Sequence, residues 1–119
     1  MSIASIPPVS PIPPARRAGL TAAHRVMLRT MLEEQRRFRV AQLAEHPVAR
    51  YATPADREVG TAILDAARVA LRDIDAALHR MAVGTYGKCT ECGVPQRLER
   101  LEILPQVALC MDCQRAASH

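Results

Sequence analysis

The feature that most constrains this chain is a set of four cysteines in its last third, arranged as two Cys-x-x-Cys pairs. Cys89 and Cys92 form the first pair, Cys110 and Cys113 form the second, and 17 residues separate the pairs. A Cys-x-x-Cys turn directs two sulfurs at one point, so two such turns supply the four thiolates of a tetrahedral metal site. The spacing predicts one zinc ion per chain. Because four protein ligands leave no coordination position for a substrate, we expect a structural site.

Two other uses of the cysteines are two disulfides and a redox-active dithiol. Disulfides are disfavoured in a chain without an export signal, and residues 1–15 contain five prolines and no charged side chain, unlike a signal peptide. A thioredoxin-type site needs a Cys-x-x-Cys at a helix start within a βαβ pattern, which this sequence does not show. Iron is a weaker alternative for the same four thiolates. Zinc is therefore the preferred expectation.

Long helices are the expected scaffold for the rest of the chain. The 119 residues suffice for one domain, and only 3% of them are aromatic, so little bulky side chain is present to fill a globular core. Ala, Arg and Leu are the most frequent residues, and all three favour helices. We expect an elongated, mainly α protein. No segment approaches 18 consecutive apolar residues, so no membrane span is predicted and the expected compartment is the cytoplasm.

The helical pattern starts at Leu20, and the first helix is predicted to follow its N-cap Thr21 and to run to about Glu45. The apolar residues that fall on one side of it are Leu20, Met27, Leu28, Met31, Leu32 and Phe38. His46 and Pro47 end the pattern, because a proline disfavours helical dihedrals in the residue before it.

The second helix is predicted to start at Thr53-Pro54, which places an N-cap hydroxyl before a proline at the first helical position. Its apolar residues follow a heptad pattern: Leu64, Ala67, Leu71, Ile74, Leu78 and Met81. A short connection to the first helix favours an antiparallel coiled-coil hairpin over residues 20–83, with arms of roughly 40 Å and its tip at residues 45–58. We expect a monomer, and the alternative is a heptad seam that dimerises the chain.

Residues 1–19 are predicted to form a disordered proline-rich tail, because each proline removes a backbone donor and restricts its predecessor. The tail is either a bare extension or a short docking motif for a partner. The formal net charge is +4, which suits a nucleic-acid binder and a protein that docks into an acidic channel equally well. Composition alone does not separate these two classes.

The zinc segment resembles the DksA/TraR family of C4-type zinc-finger transcription factors. The matching residues are Gly84-Thr-Tyr-Gly-Lys-Cys-Thr-Glu-Cys-Gly93, Arg100-Leu-Glu102, Pro105 and Cys110-Met-Asp-Cys-Gln114. The helical hairpin extends the resemblance back to about Leu20. The resemblance implies a coiled-coil finger attached to a zinc module at residues 84–119, and a protein that binds RNA polymerase. It implies that the finger enters the secondary channel of the polymerase and modulates initiation, without sequence-specific DNA contact.

The family carries an acidic Asp-x-x-Asp-x-Ala motif at the finger tip, and residues 53–58 resemble it. Asp56 corresponds to the second Asp, Thr53 stands in place of the first, and Glu58 stands in place of the Ala. The resemblance implies that Thr53, Asp56, Arg57 and Glu58 face the partner. A purely structural interpretation is also open, since Thr and Asp are favoured at a helix N-terminus for capping and for the helix dipole.

Two functions remain after the sequence is read. The first is a transcription regulator that acts on RNA polymerase through protein contacts, and the second is a zinc-ribbon module that binds nucleic acid. Four basic and four acidic residues balance each other between residues 86 and 119, so this segment offers little attraction to phosphate. No arrangement of catalytic residues is legible, and the four histidines share no spacing, so we do not expect an enzyme.

Overall fold

Two long helices dominate the computed structural model, which describes residues 19–45 and 53–118. Helix α1 spans Ala22–Glu45 and helix α2 spans Pro54–Val83. Two short helices follow, α3 at Leu98–Ile103 and α4 at Met111–Ala117. No strand occurs within the described ranges, where β pairing is limited to an isolated bridge between Lys88 and Pro95. The predicted mainly α fold with a C-terminal cysteine module is confirmed. The predicted tail at residues 1–19 lies outside the described residues except for Gly19.

Local capping explains where both long helices begin. Thr21 Oγ1 accepts a hydrogen bond from the backbone N–H of His24 at 3.0 Å, and His24 Nδ1 accepts one from the N–H of Thr21 at 3.2 Å. Thr53 Oγ1 accepts a hydrogen bond from the N–H of Asp56 at 3.1 Å, and Pro54 is the first helical residue. The first helix thus has a reciprocal pair of capping hydrogen bonds and the second helix has one. In both helices the caps satisfy N–H groups that have no partner inside the helix. The predicted N-caps are confirmed.

The two long helices pack side by side and run in opposite directions. Arg36 Nε lies 2.8 Å from Asp75 Oδ1, which links the middle of α1 to the C-terminal half of α2. At the other end of the pair, Leu20 packs so closely on Gly87 that a Cβ atom there would lie 2.9 Å from Leu20 Cδ1. The start of α1 therefore lies beside the end of α2, as expected for an antiparallel hairpin.

The apolar core is concentrated where the hairpin meets the cysteine module. Its buried members are Leu28, Leu32, Ile74, Ala77, Tyr86 and Leu101. The predicted heptad residues of α2 are all buried or half-buried, and Gly60 and Ala77 join them at the interface. These two residues lie outside the predicted heptad pattern, because small side chains carry little hydrophobic signal.

The predicted apolar stripe of α1 is wrong at its C-terminal end. Phe38 is 63% exposed, and Met27 is also exposed at 39%. The half-buried positions after Leu32 are instead Gln35, Arg39, Gln42 and Leu43, of which the first three continue its spacing of three and four residues. Phe38 lies one residue, or about 100° of rotation, away from that line. The outer half of the hairpin therefore has a partly polar interface.

Within the described residues, no helix combines the length and apolar character required to cross a bilayer. The 30-residue α2 carries charged side chains along its whole length.

Candidate metal centre

The first cysteine pair is held in a tight turn by backbone hydrogen bonds. The N–H of Cys89 donates to the carbonyl of Val94 at 2.8 Å, and the N–H of Gly93 donates back to the carbonyl of Cys89 at 2.9 Å. Gly93 has a φ of 76°, a left-handed conformation that L side chains rarely adopt. The glycine therefore allows the turn that directs Cys89 and Cys92 to one side.

The second cysteine pair lies at the start of α4. Cys110 is the N-cap residue, and its Sγ accepts a hydrogen bond from the N–H of Cys113 at 3.4 Å. The two pairs are joined directly, because the N–H of Thr90 donates to the carbonyl of Ala108 at 2.9 Å. The backbone thus places both turns face to face.

The four cysteine sulfurs converge on one point. Their Sγ atoms all lie within 4.8 Å of one another, and the distance between Cys92 Sγ and Cys110 Sγ is 3.8 Å. Sulfurs bound at about 2.3 Å to a tetrahedral zinc ion would lie roughly 3.8 Å apart. A disulfide needs about 2.05 Å, and all four cysteines are free thiols in this structure. The geometry fits one metal ion and contradicts the disulfide alternative.

The electrostatics of the four thiols also suit a bound cation. The backbone N–H groups of Cys110 and Cys92 lower the pKa of Cys89 to about 6, because they stabilise its thiolate. Hydrogen bonds to the sulfurs of Cys110 and Cys89 raise the pKa of Cys113, because they favour its protonated thiol. A divalent cation at the centre would displace the shared protons and allow all four sulfurs to ionise.

Arg100 is a residue whose role the sequence did not reveal. From α3 its guanidinium reaches Met111 Sδ at 2.8 Å, Gln114 Oε1 at 2.8 Å and the carbonyl of Leu109 at 3.3 Å. These contacts surround Cys110 in the chain and hold α4 against α3. Only its place in the family-like string Arg100-Leu-Glu102 marked this arginine as unusual.

The predicted tip residues lie at the opposite end of α2 from the cysteines. Thr53, Asp56, Arg57 and Glu58 are all exposed and occupy the N-cap and first turn of this helix. About 40 Å of helix separates them from the end of α2. Residues 46–52, which complete the predicted tip, lie outside the described residues. The structure thus assembles a metal centre and, far from it, an exposed charged helix start.

Comparison with known proteins identifies the module that holds the four cysteines. Residues 84–119 match the family model described as the prokaryotic dksA/traR C4-type zinc finger. Together with the four convergent sulfurs, this match identifies the ligand as one structural zinc ion per chain. Among the His, Cys, Asp and Glu side chains of the described residues, it is the four cysteines that lie close enough together to hold a metal ion.

Similarity to individual proteins extends beyond the zinc module. Two Caulobacter vibrioides proteins, both named RNA polymerase-binding transcription factor DksA, are 35% identical to this chain over 65 residues. That match covers 55% of this chain and 46% of each relative, so it spans about half the length of these relatives. The relatives are named as transcription factors, which agrees with the expectation that the chain is not an enzyme.

A solved structure resembles nearly the whole chain. The structure of transcription factor DksA2 from Pseudomonas aeruginosa superposes with a TM-score of 0.69 at 28% sequence identity. The superposition covers 87% of this chain and 88% of that one, so it includes the hairpin as well as the zinc module. Residues 84–119 therefore carry the C4-type zinc finger of the DksA/TraR family, and the fold of the chain is similar to that of DksA2.

Proposed function

We propose that this protein is a transcription regulator that binds RNA polymerase and inserts its helical hairpin into the secondary channel to modulate initiation. The observation that carries the proposal is a hairpin with an exposed, charged start of α2, attached to a C4 zinc module and shared in outline with DksA2. The partner comes from the curated relatives, which are named RNA polymerase-binding factors. A factor with this partner acts in the cytoplasm.

The shape of the hairpin supports insertion into a channel. A two-helix rod is roughly 10 Å by 20 Å in cross-section, and α2 alone is about 45 Å long. Its interface is apolar near the zinc module and partly polar towards the tip, where Gln35, Arg39 and Gln42 lie half-buried. The rod therefore combines a firmly packed base with a polar far end that suits contact with polar groups inside a partner.

We assign the four cysteines as the zinc ligands, and Thr53, Asp56, Arg57 and Glu58 as the residues that meet the polymerase. Thr53 uses its hydroxyl to cap α2, so its contribution is chiefly to hold the first turn in place. The carboxylates of Asp56 and Glu58 are exposed and are available to a partner. In this proposal Asp56 is the tip residue that alters transcription.

The structure also bears on the nucleic-acid alternative. Arginines are frequent on α1, but Arg29 lies 3.5 Å from Glu33 and Arg36 lies 2.8 Å from Asp75, so acidic partners offset part of this charge. With the balanced charge of the zinc module, this arrangement offers a weak surface for phosphate. The proposal therefore includes a monomer that makes no sequence-specific DNA contact and does not bind membranes.

The test compares Asp56→Asn with Thr53→Ala in polymerase binding and in transcription from a defined promoter. Asp56→Asn keeps the backbone N–H that Thr53 caps and removes only the charge, at about 0.3–1 kcal/mol of helix stability. Thr53→Ala keeps the charge and removes the cap, at about 1 kcal/mol. We expect Asp56→Asn to reduce the transcriptional effect at least several-fold with little loss of polymerase binding, and Thr53→Ala to reduce it much less.

Equal loss of activity in the two variants would mean that Asp56 acts only through the helix N-terminus. Failure of the wild-type protein to co-purify with polymerase core enzyme would overturn the proposed partner. A salt-dependent shift of free DNA by the protein would favour the zinc-ribbon alternative instead.

A further inference from the structure

A five-residue segment, 105–109, accepts hydrogen bonds through every one of its carbonyl groups. We name this segment the linker, because it leads from α3 into Cys110. Tyr86 Oη donates to the carbonyl of Pro105 at 2.7 Å, and Arg80 Nη2 lies 3.4 Å from the carbonyls of both Gln106 and Val107. The N–H of Thr90 donates to the carbonyl of Ala108 at 2.9 Å, and Arg100 Nη2 donates to that of Leu109 at 3.3 Å.

These donors come from four different parts of the molecule. Arg80 lies in the last turn of α2, Tyr86 in the turn that follows, Thr90 in the first cysteine turn and Arg100 in α3. The linker is irregular, and its residues are buried or half-buried, so these donors take the place of the partners that a helix or strand would supply. One end of the linker continues directly into a zinc ligand. The linker is therefore in contact with both the metal centre and the hairpin.

Arg80 is the side chain that spans the two parts. It belongs to the hairpin helix, yet its guanidinium reaches two consecutive carbonyls of the linker, 26 and 27 residues further along the chain. Burial lowers the pKa of Arg80, although a guanidinium still stays charged at neutral pH. Its backbone carbonyl also accepts hydrogen bonds from the N–H groups of Thr85 and Tyr86, which turn the chain towards the cysteines.

We propose that Arg80 is a positioning residue that couples the zinc site to the hairpin. By holding the linker carbonyls of Gln106 and Val107, it orients the hairpin relative to the metal centre and makes the stability of the hairpin depend on zinc. Zinc orders Cys110, the ordered Cys110 holds the linker, and the linker gives Arg80 its acceptors. Without zinc the linker is released, and the base of the hairpin loses these contacts.

This coupling must act in both directions. If zinc stabilises the hairpin through Arg80, the folded hairpin raises the affinity for zinc by the same factor. Removal of the guanidinium therefore lowers zinc affinity, although Arg80 is not a metal ligand. Because its two hydrogen bonds are charge-assisted but long, we expect an effect of about tenfold on zinc affinity.

The experiment uses the full chain with Arg80→Met, which keeps most of the side-chain length, and Arg80→Lys, which keeps the charge but not the planar fork. Arg72→Met is the matched control, since Arg72 is an exposed arginine on the same helix. Two quantities are measured for each variant: zinc affinity, by competition with a chromophoric chelator, and the rise in the melting temperature of the helical circular dichroism signal when zinc is added.

For Arg80→Met we expect zinc affinity to fall about tenfold and most of the zinc-dependent rise in melting temperature to disappear. Arg80→Lys should fall between Met and wild type, and Arg72→Met should match wild type in both measurements. The proposal would be overturned if zinc raised the melting temperature of Arg80→Met as much as that of wild type. It would also be overturned if the variant lost the same stability with and without zinc. Either result would make Arg80 a local packing residue.

Tyr86→Phe is a second variant, for use if Arg80→Met does not fold. It removes the hydroxyl that donates to the carbonyl of Pro105 and leaves the ring in the core. A smaller zinc-dependent rise than in wild type would support the linker as the coupling element, and an unchanged rise would contradict it.

Discussion

The burial of Ile74 provides a quantitative test of the hairpin. Ile74 is 1% exposed and packs in the same cluster as Leu28 and Leu32 of α1. Ile74→Ala removes three carbons from this interface, and substitutions of this kind in well-packed cores cost about 2–5 kcal/mol. We expect a loss of about 2–4 kcal/mol, because the interface between two helices has solvent on both sides and partly collapses around the missing atoms.

The matched control is Val69→Ala on the same helix. Val69 is 46% exposed, so its truncation should cost less than about 1 kcal/mol. Each kcal/mol lowers the melting temperature of a small domain by about 4–8 °C, so the Ile74 variant should melt about 8–32 °C below wild type. The assay is thermal unfolding followed by helical circular dichroism, with zinc held in excess so that metal loss does not contribute.

Similar melting temperatures for the two variants would refute the reasoning, because they would show that Ile74 is not enclosed by α1. A melting temperature of wild-type protein that rises with protein concentration, together with a light-scattering mass of twice the chain, would instead indicate that a dimer buries the heptad residues.

Two further predictions concern the zinc module. Burial raises the pKa of Tyr86 to about 12, above the ordinary value of 10.0 that applies when the chain is unfolded. The contribution of Tyr86 to stability is therefore complete below pH 10 and is lost as the pH rises towards 12. Ultraviolet titration of a Tyr51→Phe variant, which leaves one tyrosine, should show this raised pKa, and an ordinary value would contradict the burial. Cys110→Ser keeps an oxygen to cap α4 but removes a thiolate. If each of the four ligands carries a quarter of the ~10–16 kcal/mol of a structural zinc site, zinc affinity should fall at least about a hundredfold. Chelator competition measures this fall, and unchanged zinc affinity would exclude Cys110 as a ligand.

Features set by local chemistry were predictable from the sequence. Both long helices begin where a threonine caps them, at Thr21 and Thr53, because the cap and the N–H groups that it satisfies lie within four residues. The second helix ends at Gly84, whose φ of 81° suits a glycine. The zinc ligands were also predictable, since each pair is a local turn and four thiolates admit few other uses.

Features that depend on distant contacts were missed. The short helices α3 and α4 carry no strong signal of their own, and they are held by Leu101 in the core and by the contacts of Arg100 with α4. The exposure of Phe38 was missed for a similar reason. An aromatic residue in an apolar pattern predicts burial, but the half-buried residues in this part of α1 are Arg39, Gln42 and Leu43 instead.

The sequence by itself determined the two long helices, their caps and the four clustered cysteines, because these depend on residues within a few positions of each other. Only the tertiary structure decided which face of α1 meets α2, how the two cysteine turns converge and which donors hold the linker. These features join residues that are distant in the chain, such as Arg36 and Asp75, which are 39 positions apart. The free energy of such contacts depends on packing that no local pattern encodes. The place of Arg80 between the hairpin and the zinc site belongs to this second group.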